Sequence, residues 1–328
     1  MRTLVCTEAG NLNSIVIKED SIPEPKDNEV QIAVKAVALS ASDFSAFTEK
    51  IEKGKVSFLA KLLTENKPFG GDISGIISKT GKKVSSLKAG DEVYASIGVN
   101  GGCAEYITVK SDKVFLKPAN FSFEEAAAVP TSGLIALEAC QKANIRTGSS
   151  VLVYGASGGV GQFAVQIAKA LGGTVTAVCS SRNIENMYEL GADDVIDYTR
   201  TDISGLSRRF DAILGVNGDM TLKTYKNLLL KKGTYVAIGG KSAAGGLAGP
   251  LYALGSGKHM TFVFYASAVN QRHLVTLKEM AEAGKIRPYI EKTFLPQDAK
   301  EEFKRICKDH AKGKNVLLII DKNKIACY

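Results

Sequence analysis

YGASGGVGQF, Tyr154 to Phe163, carries four glycines in ten residues. An interior helical glycine costs about 1 kcal/mol against alanine, so this density argues for a turn. SSVLVYG before it is a short apolar run of the buried-strand kind. VGQFAVQIAKALG after it sets apolar residues at 160, 163, 164, 167, 168 and 171, the i, i+3, i+4 spacing of a helix. Gly172 is its C-terminal cap. Between strand and helix, Ala156-x-Gly158-x-x-Gly161 reads as an AxGxxG variant of the dinucleotide fingerprint. Gly158 leaves the backbone open to a pyrophosphate, Gly161 lets helix and strand pack closely, and the helix N-terminus faces the anion.

Strand and helix patterns alternate around this motif. SFEEAAAVPTSGLIALEACQ precedes it as helix with a proline break. TVTAVCS, DVIDY, FDAILGV and TYVAIGG follow as strands, with NIENMYELG and TLKTYKNLLLKKG as helices. Such alternation predicts a parallel doubly wound sheet in an α/β protein. From Met1 to about Pro118 the pattern is instead short strands bounded by Gly and Asp turns, as in EVQIAVKAVALS, GDISGIISKTG and GDEVYASIG. One interruption, IEKGKVSFLAKLLTEN, reads as a helix or flap with Phe58, Leu59, Leu62 and Leu63 on one side. Ser242 to Gly257 is a Gly/Ala-rich loop or loose helix. HMTFVFYAS, QRHLVTLKEMAEAGK and KNVLLIID then read strand, helix, strand, and periodicity alone allows this tail to join either half.

With 328 residues the chain exceeds one comfortable core, so two domains are expected. It is 45% apolar and 23% charged, ordinary for a globular protein. The net charge of +8, from 42 basic and 34 acidic residues, is spread along the chain and reads as a solvated basic surface. The six cysteines form no CxxC and no disulfide framework, which suits a reducing compartment and is read here as cytoplasmic. MRTLVCTEAG has neither the apolar core of a signal peptide nor an arginine-rich leader. The longest uncharged run, Thr147 to Ala168, splits into strand, turn and helix and is no membrane span.

The strand after the glycine turn ends in CSSRN. An NAD site places a carboxylate near here for the ribose 2′-hydroxyl. This sequence has Ser180, Ser181 and Arg182, two hydroxyls and a guanidinium suited to a 2′-phosphate. The expected cofactor is NADPH rather than NADH.

Taken in order, ALSASDF, GGDISGIISKTGKKVSSLKAGDEVYA, GGCAEYITV, EEAAAVPTSGLIALEA, VLVYGASGGVGQFAVQIAKALG, ELGADDVIDY and HAKGKNVLLI resemble the medium-chain dehydrogenase/reductase superfamily. The match is to its zinc-free quinone oxidoreductase branch, including plant chloroplast-envelope homologues, over nearly the whole chain. The resemblance implies a GroES-like β-rich catalytic domain, residues 1–121 and 266–328, around a Rossmann NADP-binding domain, residues 122–265. It also implies roles. Ala156, Ser157, Gly158, Gly159 and Val160 would line the pyrophosphate. Ser180, Arg182 and Tyr198 would hold the adenosine 2′-phosphate. Asn217, Gly239 and Phe264 would face the cofactor from later strands, and Lys314 and Asn315 would reach back from the last one. Ser40 and Asp43 of ALSASDF are the candidate polar contacts to substrate, Asp43 being equally readable as a turn cap. Thr131 would touch the nicotinamide ribose. Ile135 stands where the family usually has threonine, removing one expected hydrogen bond.

Zinc-dependent members need thiolate, imidazole or carboxylate ligands. Here Ser40 or Ala41 replaces their first cysteine, Gly71-Asp72 replaces Gly-His-Glu, and the four-cysteine lobe is missing. All three histidines lie late in the chain, and Cys103 has no evident partner thiol. Metal catalysis is therefore not expected. Hydride transfer without a Lewis acid favours a conjugated acceptor, a quinone or an α,β-unsaturated carbonyl, and needs mainly proximity and orientation. The reading is an NADPH-dependent quinone or enone reductase, a homodimer by resemblance, with peripheral membrane contact left open. The alternatives are an enoyl-thioester reductase and an NADPH-binding protein that works by binding RNA or protein, although no RNP-like motif is present.

Overall fold

The computed structural model describes residues 1–41, 43–98, 101–239, 249–263, 270, 272–308 and 312–319. Chain contacts divide it into two units, 1–130 with 290–328, and 131–289.

The first unit is the β-rich one. Strands β1 (Arg2–Cys6) and β2 (Ile15–Glu19) pair antiparallel. The larger sheet is built on β3 (Glu29–Leu39), β4 (Asp72–Thr80), β5 (Glu92–Ser96), β6 (Tyr106–Lys110) and β7 (Phe115–Leu116). Two late strands, β14 (Ile290–Phe294) and β15 (Lys314–Leu318), complete it, with β15 antiparallel to β3. The tail that periodicity left open therefore returns to the first unit. Phe44, Phe47, Phe69, Phe294 and Phe303 pack in its core with Ile32, Ile73 and Leu317.

The interruption between β3 and β4 is two helices, α1 (Ser45–Lys53) and α2 (Phe58–Thr64). Gly54, with φ of +69°, ends the first and Ser57 caps the second. Helix α3 (Phe123–Ala128) opens with a full capping box between Ser122 and Glu125. Its Ala127 and Ala128 lie on Ala36, Ala38 and Val316 of the sheet. That packing moves the first boundary from the expected 121/122 to 130/131.

The second unit begins with α4 (Pro130–Lys142), whose proline is the expected break. Its sheet has six parallel strands: β8 (Ser150–Tyr154), β9 (Thr174–Cys179), β10 (Asp194–Asp197), β11 (Phe210–Val216), β12 (Leu229–Ile238) and β13 (His259–Val263). The spatial order β10-β9-β8-β11-β12-β13 is the doubly wound Rossmann order. Helices α5 (Gly159–Ala170), α6 (Ile184–Glu189) and α7 (Leu222–Leu228) follow β8, β9 and β11.

Two boundaries differ from the sequence reading. TLKTYKNLLLKKG is helical only to Leu228, because β12 starts at Leu229 opposite Phe210 and bulges at Lys232, which has φ of +69°. The second division falls at 289/290, not 265/266, and leaves helix α8 (His273–Glu282) in the second unit. Two buried glutamines of α5 explain it: Gln166 takes the Arg287 N–H at 2.8 Å and donates to the Arg287 carbonyl at 2.9 Å, while Gln162 does the same at Tyr289. Helix α9 (Ala299–Lys308) lies between β14 and β15 in the first unit.

Candidate active site

Three neighbouring strands of the Rossmann sheet end on left-handed residues. Gly155 follows β8 with φ of +71°, Asn217 follows β11 with +48°, and Gly239 follows β12 with +62°. A Cβ on Gly155 would stand 2.2 Å from the Val216 carbonyl oxygen, and one on Gly239 3.1 Å from Asn217 Oδ1. The Asn217 N–H donates to Ile238 O at 2.9 Å. These turns draw the loops together at the β8/β11 switch point, where doubly wound sheets bind ligands.

The glycines after β8 differ in what the chain's own packing requires of them. A Cβ on Gly161 would lie 2.2 Å from Gly155 O and 2.7 Å from Ala156 backbone, so this glycine seats the helix on the turn. A Cβ on Gly158 would meet only Gly155 O at 3.6 Å, an ordinary contact. Gly158 is thus not required by the chain's own packing. It is the N-cap of α5 and supplies no side-chain cap, and the first-turn N–H groups that follow it, those of Gly159, Val160 and Gly161, have no intrahelical acceptor. Ser157 is half-buried on the same loop. Ala156 differs from expectation. Its side chain is fully buried and its N–H donates to Val178 O at 3.0 Å, so it shapes the loop rather than lining it.

At the end of β9, Ser180 is half-buried and accepts from Asn183 Nδ2 at 3.2 Å, and Arg182 is exposed on a single 3-10 turn. Tyr198 is 47% exposed beside them, its N–H donating to Cys179 O at 3.1 Å. The sequence reading expected no carboxylate here, and that is overturned. The parallel register β9–β10 sets Asp197 opposite Cys179. Its carboxylate accepts from Ser181 Oγ and from Thr199 N and Oγ1 at 2.9 and 2.7 Å. These hydrogen bonds, Ser181 first, hold it below the usual carboxylate range. Thr131 is half-buried in the first turn of α4, and Phe264 lies outside the described residues.

In the first unit, Asp43 is 2% exposed and both its oxygens are engaged. Oδ2 accepts from Ser40 N at 2.7 Å and Ser40 Oγ at 3.0 Å, and Oδ1 accepts from Gly70 N at 2.7 Å. Burial raises its pKa to about 6 against those hydrogen bonds. Asp43 is therefore the anchor of the loop after β3, the turn-cap reading, while half-buried Ser40 is the polar side chain that the anchor positions.

Lys314 and Asn315 were expected to reach one cofactor, but adjacent strand residues point to opposite faces. Lys314 Nζ lies 3.6 Å from Asp72 Oδ2, both side chains 2% exposed. On the other face, Asn315 Oδ1 accepts from Arg305 at 2.6 Å and Nδ2 donates to Glu291 at 3.4 Å. Cys103 is buried, and burial pushes its thiol well up. Zinc does not fit this donor set: the carboxylate at the position of the family's metal-binding segment faces an ammonium ion, and the Ser40 hydroxyl donates to Asp43. Among the described residues no three His, Cys, Asp or Glu side chains gather to hold a metal.

Residues 26–119 match the alcohol dehydrogenase GroES-like domain and residues 190–317 the family described as zinc-binding dehydrogenase. The mitochondrial NAD(P)H oxidoreductase of Bos taurus is 34% identical over 330 residues, 89% of this chain and 82% of that protein. The chain belongs to the medium-chain dehydrogenase/reductase superfamily. It is also 30% identical to the chloroplastic NADPH-dependent alkenal/one oxidoreductase of Arabidopsis thaliana, over 97% of this chain and 79% of that one. The solved quinone oxidoreductase of Coxiella burnetii superposes with a TM-score of 0.82 at 27% identity, covering 98% of this chain and 99% of the other. This member of the superfamily is an oxidoreductase with the GroES-like and Rossmann units described above. No helix among the described residues is long and apolar enough to cross a membrane.

Proposed function

We propose that this chain is an NADPH-dependent reductase of quinones or α,β-unsaturated carbonyl compounds that works without a metal. The observation that supports the reading is that Gly158, in the fingerprint turn, is not needed by the chain's own packing, in a chain whose Asp72, where zinc members carry Gly-His-Glu, pairs with Lys314. The names of the relatives support the acceptor class.

Bound NADPH supplies the hydride. The chain's own groups bind and orient. First-turn N–H groups of α5 take the pyrophosphate, helped by the helix dipole. Ser180, Arg182 and Tyr198 take the adenosine 2′-phosphate, and the Asn217 and Gly239 turns border the nicotinamide side. Ser40 offers its hydroxyl to the acceptor's carbonyl oxygen while Asp43 keeps its loop in place. Conjugation spreads the charge that develops on that oxygen, so one hydrogen bond can serve where a simple ketone would need a Lewis acid. Water completes the protonation. Phe58, Leu59 and Leu62 are 82%, 64% and 56% exposed on α2, an apolar surface that favours a bulky acceptor.

The five described cysteines are free, which supports a reducing compartment, the cytoplasm in our reading. A homodimer through β13, the edge strand of the Rossmann sheet, is the expected assembly; sedimentation of the purified chain tests it.

The deciding experiment is consumption of NADPH and, separately, NADH with ortho- and para-quinones, short and long enones, enoyl thioesters and simple ketones. Turnover of quinones or enones with NADPH, and none of ketones, is the expected pattern. Turnover confined to thioesters, or tight NADPH binding without turnover of anything, would replace this reading with the thioester or binding-protein one.

A further inference from the structure

The end of β10 carries polar groups that the cofactor motif does not account for. Asp197 Oδ1 accepts twice from Thr199, and Oδ2 accepts from Ser181 Oγ. The same Oδ2 lies 3.7 Å from Arg200 Nε. One carboxylate oxygen therefore bonds the turn that bears Arg182 and lies within ion-pair distance of a second guanidinium. Arg200 is held there by its backbone as well, since its N–H returns to the Asp197 carbonyl at 3.2 Å and that of Thr201 at 2.9 Å. Its side chain is 80% exposed, while that of Asp197 is 9% exposed.

Such an ion pair adds little stability in water, because solvent screens it. Its geometry has another consequence. A bare carboxylate beside the ribose would repel a 2′-phosphate, as in NAD-selective sites. Here the carboxylate is covered by three donor groups and faced by a cation whose outer N–H groups point to solvent. A guanidinium has five donors, so Arg200 can keep Nε toward Asp197 and present its remaining N–H groups to a phosphate.

We propose that Arg200 is a second cation of the 2′-phosphate site and that Asp197 is its positioning residue, holding Arg200 and the Ser181 turn in register. This rests on the NADPH reading above and deepens it. With Ser180, Arg182 and Tyr198, the two residues set the ratio of NADPH to NADH affinity.

The test uses adenosine fragments, which need no turnover. Calorimetric binding of 2′,5′-ADP and of 5′-AMP is measured for the wild-type chain, Arg200→Ala, Asp197→Asn and Asp197→Ala. Loss of one charge-assisted contact should weaken 2′,5′-ADP about tenfold or more in Arg200→Ala and leave 5′-AMP unchanged. Asp197→Asn keeps an acceptor for the turn and should retain most of the preference, whereas Asp197→Ala should lose it while still binding 5′-AMP as the wild type does, with a modest fall in unfolding midpoint from the three lost hydrogen bonds. A wild-type chain that prefers 2′,5′-ADP together with an Arg200→Ala variant of equal preference would overturn the proposal alone. A wild-type chain without that preference would overturn the NADPH reading and this inference with it.

Discussion

Gly158 and Gly161 stand three residues apart in one motif, and the structure predicts opposite consequences for the same substitution. In Gly161→Ala the new methyl would start 2.2 Å from Gly155 O and 2.7 Å from two Ala156 backbone atoms. No side chain can rotate away, so the helix start must shift, at about 1–3 kcal/mol or more. For a unit of this size that lowers the unfolding midpoint by roughly 2–4 °C per kcal/mol. In Gly158→Ala the methyl meets nothing nearer than 3.6 Å, and φ of −80° with ψ of 176° suits alanine. The N-cap penalty of about 0.5–1 kcal/mol is largely offset by about 0.4–1 kcal/mol from a stiffer unfolded chain. Stability should stay within about 0.5 kcal/mol, but on the proposed reading the methyl enters the volume where a pyrophosphate would lie. NADPH affinity should fall roughly 10–100-fold, the equivalent of overpacking by one methyl group. Thermal unfolding and NADPH titration on both variants check this. Full NADPH affinity in Gly158→Ala, or equal destabilisation in the two, would refute the assignment of one glycine to the ligand and the other to the fold.

Exhaustive chelation should leave reductase activity unchanged; loss of activity restored by added zinc would reverse the conclusion drawn from the donor set. Lys314→Met should destabilise the first unit by about 3–5 kcal/mol, since it leaves the Asp72 carboxylate buried beside an alkyl chain. Adding Asp72→Asn should recover much of that in urea unfolding, and two additive losses would count against the pair. The pKa of Asp43 is raised to about 6 by burial, above its unfolded value, so its proton stabilises the folded state. That stabilisation is fully present below about pH 4 and is lost as pH rises toward 6, a change of about 3 kcal/mol at 1.36 kcal/mol per pKa unit. The unfolding free energy of the wild type relative to Asp43→Ser, followed from pH 4 to 7, should shrink over that window. A flat difference would mean that the carboxyl is better solvated than its geometry implies.

How far the sequence could be read depended on distance along the chain. The glycine turn, the capped helix behind it and the Pro130 break all depend on neighbours within a few residues, and all appear in the structure. The same holds for Ser180 and Arg182 at the end of β9. Asp197 was missed because its closeness to Ser181 comes from β9–β10 pairing, a contact that no local pattern reports. The Leu228/Leu229 boundary was misread for a related reason. LLLKKG has respectable helix formers, and its strand state is imposed by pairing with β11. Lys314 and Asn315 are a different case: period-two alternation already sets their side chains on opposite faces once the segment is a strand. Asp43 was ambiguous because Gly70, the donor that decides between cap and contact, lies 27 residues away.

The Asp72–Lys314 pair joins these threads. A carboxylate at the head of β4 and a lysine at the head of β15 meet only because β3 pairs with both strands, antiparallel in each case. A metal-binding member needs a cation at this end of the sheet, bound by thiolate and imidazole. This chain has no such ligands among its described residues and carries a buried carboxylate, which alone would be strongly destabilising. An ammonium from the last strand compensates the charge with no exchangeable ion. An ammonium facing a buried carboxylate does not supply the Lewis acidity of an open metal site. The acceptor must then carry its own means of spreading charge. Conjugation in a quinone or enone provides that, so the ion pair argues for the same acceptor class as the relatives do.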